Sequence, residues 1–374
     1  MLEKTGKLLS KVKVSGGGRC NVTHACFAIS EMIRNYPRGT HFVKKAFHHF
    51  FTTDTIGWFE QRGVKLKTEN DRRMFPVTDS SQTIIDCLLK EAARYEVEIC
   101  MNTEVKGLEQ HEGKFIATTT GGREIRADYV CVAAGGFSRS AMFDWLRALG
   151  HSVEEPVPSL FTFNMPGHPI RELMGVSVEQ VAIRIAGIKL AQEGPLLITH
   201  WGLSGPAVLK LSAKGARELA AANYHFQIII NWLPRYTEQT LQQQMQTLRF
   251  DRAVLPTDSR NPFGLPQRLW VFLLQQSGIN EGMRWADLPA KLANKLAKNL
   301  CHMEADVKGK TTFREEFVTA GGIRLSEIDP STMMSRKIPN LFFAGEIMDV
   351  DAVTGGFNFQ HAWTSGYLAA AAMI

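Results

Sequence analysis

Apolar and polar positions follow one another in blocks that predict a mixed α/β protein. After Asp79-Ser80, five apolar residues between positions 84 and 92 keep a helical period, which predicts a helix that opens at Ser80. A similar pattern predicts helix within residues 42–63. Short apolar runs then predict strands at Val97–Met101, Glu104–Glu109, Lys114–Thr120 and Ala127–Ala134.

The last third of the chain carries the most informative pattern. Leu341–Ala344 is a short apolar run that predicts a buried strand, and it stops at Gly345-Glu346. The glycine pair Gly355-Gly356 follows, and small residues predict a helix from about Asn358 to the C-terminus. A strand, an acid, a glycine turn and a helix N-terminus present N–H groups and a positive dipole end to an electron-rich ligand in doubly wound folds.

A change in composition predicts a domain boundary. Two prolines within Glu154–Ser159 are typical of a linker, and the following chain predicts a separate set of strands and helices. The strands are expected at Gln180–Ile185, Leu196–Thr199 and Phe226–Ile230, and the helices at Glu238–Leu248 and Ala286–Leu300. We therefore expect one discontinuous domain of residues 1–158 and 317–374, interrupted by an inserted domain of residues 159–316.

Composition narrows the class of protein. The 374 residues are 44% hydrophobic and 21% charged, which is typical of a globular chain, and no apolar run approaches the roughly 18 residues of a membrane span. Six cysteines are scattered singly without a CxxC pair, which argues against a zinc site or a disulfide framework. We expect no metal, no membrane and a cytoplasmic location.

The net charge of +6 raises the question of a nucleic-acid partner. Lys and Arg are spread along the chain in nothing longer than pairs such as Lys44-Lys45, with no basic run interleaved with aromatics. The expected partner is a small organic molecule, and nucleic acid is not expected.

Residues 15–21, Ser-Gly-Gly-Gly-Arg-Cys-Asn, form the second informative motif. Three successive glycines allow a backbone to pass close to a planar ring or a phosphate. Arg19 offers a fixed fork of donors, and Asn21 can cap the following turn. Cys20 is expected to be a small packed residue, with a reactive thiol as the alternative.

A third motif, His200-Trp-Gly-Leu-Ser-Gly-Pro206, resembles the nucleophile elbow of a hydrolase only in part. Gly202 and Ser204 fit that pattern, but Pro206 stands where the last glycine belongs. Proline is a good first residue of a helix, so the motif predicts a structural strand–turn–helix. His200 remains a candidate on the substrate side.

Residues 14–21, 197–207 and 344–360 together resemble the bacterial aminoacetone oxidase family of FAD-binding enzymes, a group of NAD(P)/FAD-dependent oxidoreductases. The resemblance spans essentially the whole chain in order. It implies an α/β fold, in which a Rossmann-like FAD-binding domain of the glutathione-reductase type is interrupted by an α+β insert. The cofactor would be FAD, with NAD(P)H as a possible electron donor. The implied reaction is hydride transfer between a small organic substrate, held in the cleft between the domains, and flavin N5; the catalytic residues stay unassigned.

The resemblance also implies which residues contact the cofactor. They are Glu3, Lys4, Ser15, Gly16, Gly17, Gly18, Arg19, Cys20, Asn21, Val105, Ala134, Gly135, Gly345, Glu346, Asp351, Thr354, Gly355, Gly356, Phe357 and Asn358.

One departure from the family pattern leaves two alternatives open. Met1–Lys4 resembles the end of the second Rossmann strand, whose acid binds a ribose, yet no G-x-G-x-x-G turn stands before it. We expect an N-terminally shortened chain with weakened FAD binding, and the first alternative is an inactive fragment. The second is a tRNA-acting flavoprotein, because flavin-dependent tRNA-modifying enzymes share this architecture and basic charge. Small amines and conjugated enones both remain open as substrates.

Overall fold

The computed structural model describes residues 1–311 and 318–373. The chain divides into two compact units, Met1–Ser159 with Phe313–Ile374, and Leu160–Thr312. The expected return to the first domain near Phe317 lies outside the described residues.

The first unit combines short sheets with helices. Its α-helices are Ser10–Gly18, Ile29–Met32, Thr40–Phe47, Thr52–Glu60, Ser81–Arg94, Asp144–Ala148 and Phe357–Ala371. Its strands are Thr23–His24, Leu66–Thr68, Arg73–Pro76, Val105–His111, Lys114–Thr119, Glu124–Ala127, Val130–Val132, Val153–Ser159, Val318–Ile323 and Leu341–Phe343.

Helix Ser81–Arg94 begins where the sequence predicts it. The Ser80 hydroxyl accepts the Gln82 N–H at 3.3 Å, and Ile84, Ile85 and Cys87 are buried along one face. The helical stretch at 42–63 is instead two helices, Thr40–Phe47 and Thr52–Glu60. The break has a local cause, because Phe51 is extended and its N–H bonds the Asp54 carboxylate at 2.7 Å, which starts a new helix.

Two strands distant in sequence form a parallel pair in the first unit. Leu341–Phe343 lies parallel to Val130–Val132, with Leu341 opposite Val130, which confirms that these two stretches share one sheet. The strand predicted at Val97–Met101 is wrong, since this stretch makes only a parallel bridge between Cys100 and Leu2. One residue pair with the first residues of the chain does not extend into a ladder.

The second unit is built on an antiparallel sheet of seven strands in the described chain, ordered Met303–Lys308, His225–Asn231, Ser177–Ile185, Ala191–Thr199, Gly202–Ser204, Thr162–Asn164 and Lys310–Thr311. Its α-helices are Pro206–Lys214, Ala216–Ala221, Glu238–Asp251, Gln267–Gln276 and Ala290–Cys301. The motif at 200–206 is a strand–turn–helix, with Pro206 as the first helical residue after Gly205. Large apolar side chains, among them Trp232, Trp270 and Trp285, fill the core of this unit.

Among the described helices, none combines the length and the apolar character that crossing a bilayer requires.

Candidate functional site

The glycine loop, Ser15–Gly18, interrupts a helix and opens backbone to solvent. Ser15 is extended, and Gly16, Gly17 and Gly18 all have positive φ of 58° to 85°. A Cβ at Gly16 would lie 2.8 Å from the Phe75 ring, so this glycine is required by the protein's own packing. Gly17 and Gly18 are exposed, and a Cβ on either would meet nothing within 4 Å. These two glycines therefore offer accessible backbone to a ligand.

Asn21 fastens the glycine loop to the C-terminal turn, Thr354–Gly356. In the amide orientation that satisfies both of its polar atoms, Asn21 donates to the Thr23 carbonyl at 3.0 Å and accepts from the Gly356 N–H at 2.9 Å. Gly356 packs so closely that a Cβ would lie 2.5 Å from the Thr23 carbonyl carbon and oxygen. The sequence reasoning assigned this close approach to the cofactor, whereas the structure assigns it to Thr23.

Glu346 stands at the centre of a polar cluster with Lys11, Thr319 and Gly136. One carboxylate oxygen accepts the Thr319 N–H at 2.8 Å, and the other accepts from Lys11 Nζ at 2.5 Å. A Cβ at Gly136 would lie 2.6 Å from Thr319 Oγ1 and 2.8 Å from Glu346 Oε1, so only glycine fits there. The Glu346 side chain is 17% exposed, which leaves part of it available to a ligand.

Two buried polar atoms near Glu346 lack a partner in the described structure. Thr319 Oγ1 and His361 Nδ1 are both buried without a hydrogen bond. His361 Nε2 lies 3.3 Å from the Gly345 carbonyl oxygen, and burial lowers the pKa of His361 to about 4. Because buried polar groups in native proteins are almost always paired, unpaired atoms indicate where a ligand or water completes the site.

The C-terminal helix, Phe357–Ala371, begins beside this cluster at the glycine turn. Its N-cap is Gly356, with φ of 92°, and no side chain caps its first turn. The first N–H groups of a helix have no intrahelical partner, and the helix dipole is positive at this end. The end is therefore suited to an anionic or electron-rich group.

Several residues expected at the cofactor have other partners in the structure. Asp351 is fully buried and accepts a bidentate ion pair from Arg38 and a hydrogen bond from the Ser159 hydroxyl at 2.7 Å. Asn358 bonds both polar groups of Ala352, at 2.9 and 3.0 Å, and thereby shapes the turn. The polar groups of these two side chains are therefore bonded within the protein rather than to a ligand.

Phe357 and Gly355 also pack within the protein. The Phe357 ring is 3% exposed and packs against His24, and its carbonyl accepts from Tyr36 at 2.6 Å. A Cβ at Gly355 would lie 2.7 Å from the Phe357 ring. Thr354, by contrast, is exposed at the tip of the turn.

Arg19 and Cys20, two further residues expected at the cofactor, also make their contacts within the protein. Arg19 lies 4.1 Å above the Phe75 ring and donates to Glu69 at 2.5 Å, so its fork is already engaged. Cys20 is completely buried, and burial raises the pKa of its thiol to about 11. It is a packed residue with a thiol that stays protonated.

Glu3, Lys4 and Val105 form a second group. The Glu3 carboxylate accepts from the Thr5 N–H and hydroxyl, both at 2.8 Å, while Lys4 is exposed. The Glu3 carbonyl accepts from the Thr103 N–H at 2.8 Å, which brings the strand that begins at Val105 close to the chain's first residues.

Ala134 and Gly135 leave the end of strand Val130–Val132 in an open conformation. Ala134 is exposed, and Gly135 has φ of 73° with no atom within 4 Å of its Cβ position. Gly135 resembles Gly17 and Gly18 in this respect, and it directly precedes Gly136 of the Glu346 cluster.

The structure adds residues that the sequence reasoning missed, namely Lys11, Gly136, Thr319 and His361. Nothing in the residue type of Thr319 marked it as part of a site. Lys11 gave no signal, because its partner Glu346 stands 335 positions away.

The donor set of this site fits FAD. Open glycine backbone accommodates a planar ring, a part-exposed carboxylate can accept from sugar hydroxyls, and an uncapped helix N-terminus favours an anion. Outside residues 312–317 and 374, no group of three His, Cys, Asp or Glu side chains could hold a metal ion.

Comparison with known proteins identifies a family for the chain. Residues 1–372 match the family model described as HI0933-like protein Rossmann domain. The chain is 26% identical to the 3-dehydro-bile acid delta(4,6)-reductase of Clostridium scindens, over 99% of this chain and 91% of that one. It is 29% identical to the ribosomal RNA dihydrouridine synthase of Escherichia coli, over 97% and 89% of the two chains.

Among solved structures, a flavocytochrome c3 fumarate reductase aligns over 98% of this chain and 71% of its own. The sequences are 14% identical and the TM-score is 0.45, too low a likeness to carry an argument. The family match over the whole chain decides the assignment. The chain belongs to the HI0933-like Rossmann-domain family and is an FAD-dependent oxidoreductase.

Proposed function

We propose that this enzyme is a reductase that adds hydride to a carbon–carbon double bond conjugated to a carbonyl. A delta(4,6)-reductase of a 3-dehydro-bile acid and a dihydrouridine synthase both act, by their names, on such a bond. The two substrates differ in every other respect. The shared feature is the electron-poor alkene, which supports enones over amines as the substrate chemistry.

FAD, once reduced, would supply the hydride from its N5 position to one alkene carbon, and a proton would add to the other carbon. The protein's own share is orientation and electrostatics. Gly17, Gly18 and Gly135 would let backbone approach the ring and its chain without Cβ clashes. The N-terminus of helix Phe357–Ala371 would stabilise negative charge on the cofactor.

The Glu346 cluster is the observation that supports the cofactor's place in the proposal. A carboxylate held by Lys11 and the Thr319 N–H is fixed in one orientation, with part of its surface free to accept from the hydroxyls of a cofactor chain. Thr319 Oγ1, buried without a partner, can complete that contact. Val105 and Glu3, which lie together, are proposed to contact the distant half of FAD.

A reductase consumes one two-electron donor in each turnover, and we propose NAD(P)H for this role. The six free cysteines suit a reducing compartment, so the cytoplasm is the proposed location.

The test is an anaerobic half-reaction experiment with the FAD-reconstituted protein. NADH or NADPH should bleach the visible flavin band, and a conjugated cyclic enone or a uridine-containing RNA should restore it. A saturated ketone of the same ring size is the matched control, and it should leave the flavin reduced. If small amines bleach the oxidised flavin and no conjugated alkene restores its colour, the enzyme is an amine oxidase and the proposal is wrong.

A further inference from the structure

The charge of this protein is unevenly divided between its two units. Residues 160–312 contain 17 Lys and Arg against 11 Asp and Glu, whereas the rest of the chain contains 26 of each. The entire formal net charge of +6 therefore belongs to the second unit. A strong asymmetry of this kind indicates a polyanionic partner.

The lysine helix, Ala290–Cys301, concentrates part of this charge on one face. Lys291, Lys295 and Lys298 recur at the i, i+4 and i+7 positions of a single helical stripe, and all three are exposed. The opposite face, with Leu296 and Leu300, is fully buried in the core. The helix contains no acidic residue.

Little of this charge is neutralised within the protein. Among the described residues, Lys291 and Lys295 have no carboxylate within 4.0 Å, and Lys298 lies 4.0 Å from Glu304. By contrast, the exposed Lys106 of the first unit is paired with Glu104 at 2.9 Å. The lysine helix thus keeps its charge available.

The position of Lys291 also argues for a ligand. It lies in the first turn of the helix, where the dipole is positive and a cation is unfavourable. No acidic residue in that turn compensates, and no side chain caps it. A cation at this position is explained by attraction to an external anion rather than by the stability of the helix.

An exposed aromatic residue directly follows Arg249, whose side chain contacts the chain just before the lysine helix. Arg249, near the end of helix Glu238–Asp251, donates to the Ala286 carbonyl at 3.2 Å, four residues before the lysine helix begins. The next residue, Phe250, is 84% exposed. Cationic side chains next to an exposed ring are the combination by which proteins bind unpaired nucleotides, the ring by stacking on a base.

We propose that the lysine helix, together with Phe250, forms an RNA-binding face. Phosphates would contact the three lysines, and an unpaired base would stack on Phe250. An anionic membrane fits less well, because a helix that lies on a bilayer needs an exposed apolar face and this one buries its apolar face in the core. Naming RNA as the substrate rests on the proposed reductase function, whereas the binding face itself does not.

Binding is tested with the FAD-loaded, full-length protein and a fluorescein-labelled RNA hairpin of about 20 nucleotides with a uridine-rich loop. Fluorescence anisotropy is recorded between 50 and 200 mM KCl for the wild type and for Lys291→Glu/Lys295→Glu/Lys298→Glu. We expect the triple variant to bind at least tenfold more weakly, with a salt slope lower by about 2, since each single-strand phosphate contact contributes roughly 0.7. Phe250→Ala should weaken binding about fivefold or more without changing the slope.

The matched control reverses three exposed lysines of the first unit, Lys44→Glu/Lys45→Glu/Lys90→Glu, which changes the net charge equally. This variant should retain affinity within about a factor of two at 200 mM KCl. Equal losses in both triple variants would overturn the proposal, as would binding of wild type to phosphatidylglycerol vesicles in preference to the hairpin. Flavin reduction by NAD(P)H is followed in the same samples. RNA binding without flavin reduction or substrate turnover would refute the reductase and leave the RNA-binding face standing, whereas turnover of an enone without RNA binding would do the reverse.

Discussion

Gly356 and Gly17 share a left-handed backbone and serve different purposes. Gly356 has φ of 92°, and a Cβ there would lie 2.5 Å from the backbone of Thr23. Gly356→Ala should therefore lower the free energy of unfolding by about 2–6 kcal/mol, through backbone strain and overpacking together. Urea denaturation of the apoprotein measures this. Unchanged stability with lost FAD binding would return Gly356 to the cofactor, as the sequence alone suggested.

Gly17 has φ of 69° and open space where a Cβ would stand. Gly17→Ala should cost only about 1–2 kcal/mol of backbone strain, because no protein atom is displaced. FAD affinity should fall at least tenfold, since the new methyl group projects from backbone that faces the ligand. Gly63→Ala, at another positive-φ glycine with open space, is the control for strain alone and should leave the FAD titration unaltered.

Glu346 is the residue on which cofactor affinity should depend most. Glu346→Gln loses the negative charge toward cofactor hydroxyls and the ion pair with Lys11. A hydrogen bond to a charged group is worth about 1.5–3 kcal/mol, so the dissociation constant of FAD should rise roughly 10- to 100-fold. Fluorescence quenching of FAD measures it. Glu91→Gln is the matched control, because Glu91 is 14% exposed and pairs with Arg62 at 2.7 Å in the same unit. A similar loss in both variants would show a general effect of removing an ion pair.

At the scale of elements, the Asp351–Arg38 pair ties the chain before helix Thr40–Phe47 to the C-terminal segment. Both side chains are buried, at 0% and 11% exposure. Asp351→Asn should lower stability by about 3–5 kcal/mol, because it leaves a buried guanidinium without its counter-charge. The double variant Arg38→Met/Asp351→Leu should recover part of this loss. A single variant that is as stable as wild type and fails to bind FAD would contradict the structural role.

Helix Phe357–Ala371 contains a buried histidine, His361, whose titration makes the stability of the protein depend on pH. Burial lowers the pKa of His361 to about 4, from 6.5 in the unfolded chain. Between pH 4 and pH 6.5, His361 binds a proton in the unfolded chain and not in the folded chain. The contribution of His361 to the free energy of unfolding is therefore fully present above pH 6.5 and is lost as the pH falls toward 4. The loss is on the order of 3 kcal/mol.

His361→Gln removes this contribution, and urea unfolding of the apoprotein at pH 7 and pH 5 measures it. The wild type should lose more stability than the variant over that interval. His151, whose pKa is also lowered by burial, titrates in both proteins and cancels in the comparison. Equal losses would mean that His361 is accessible to protons in the folded state.

At the scale of the whole molecule, periodic apolar patterns predicted the helices and strands that bury one apolar face. Helix Ser81–Arg94 and the parallel strand Leu341–Phe343 follow directly from apolar spacing and capping residues. The break between Thr40–Phe47 and Thr52–Glu60 did not, because Asp54 bonds a backbone N–H three residues away and the surrounding pattern stays helical. A local cap of this kind can end one helix and start another where the apolar pattern alone predicts a continuous helix.

The site was predictable in its motifs and less so in its partners. Glycines, Glu346 and the helix start are marked by residue type, so the sequence located them. The hydrogen-bond partners of these polar atoms were not predictable, because they come from distant positions in the sequence. Asp351 and Arg38, for example, pair across 313 positions. The lysine helix shows the same limit, since a basic stripe at helical spacing leaves no basic run in the sequence.

The most direct test of the account is a titration of the purified, folded protein with FAD, followed by the visible absorption spectrum. We expect one FAD per chain with a shifted and structured flavin band, reduced affinity in Glu346→Gln and Gly17→Ala, and wild-type behaviour in Glu91→Gln. A protein that circular dichroism shows to be folded, and that leaves the spectrum of free FAD unchanged at cofactor concentrations well above those of the protein, would contradict the assignment of this site to FAD.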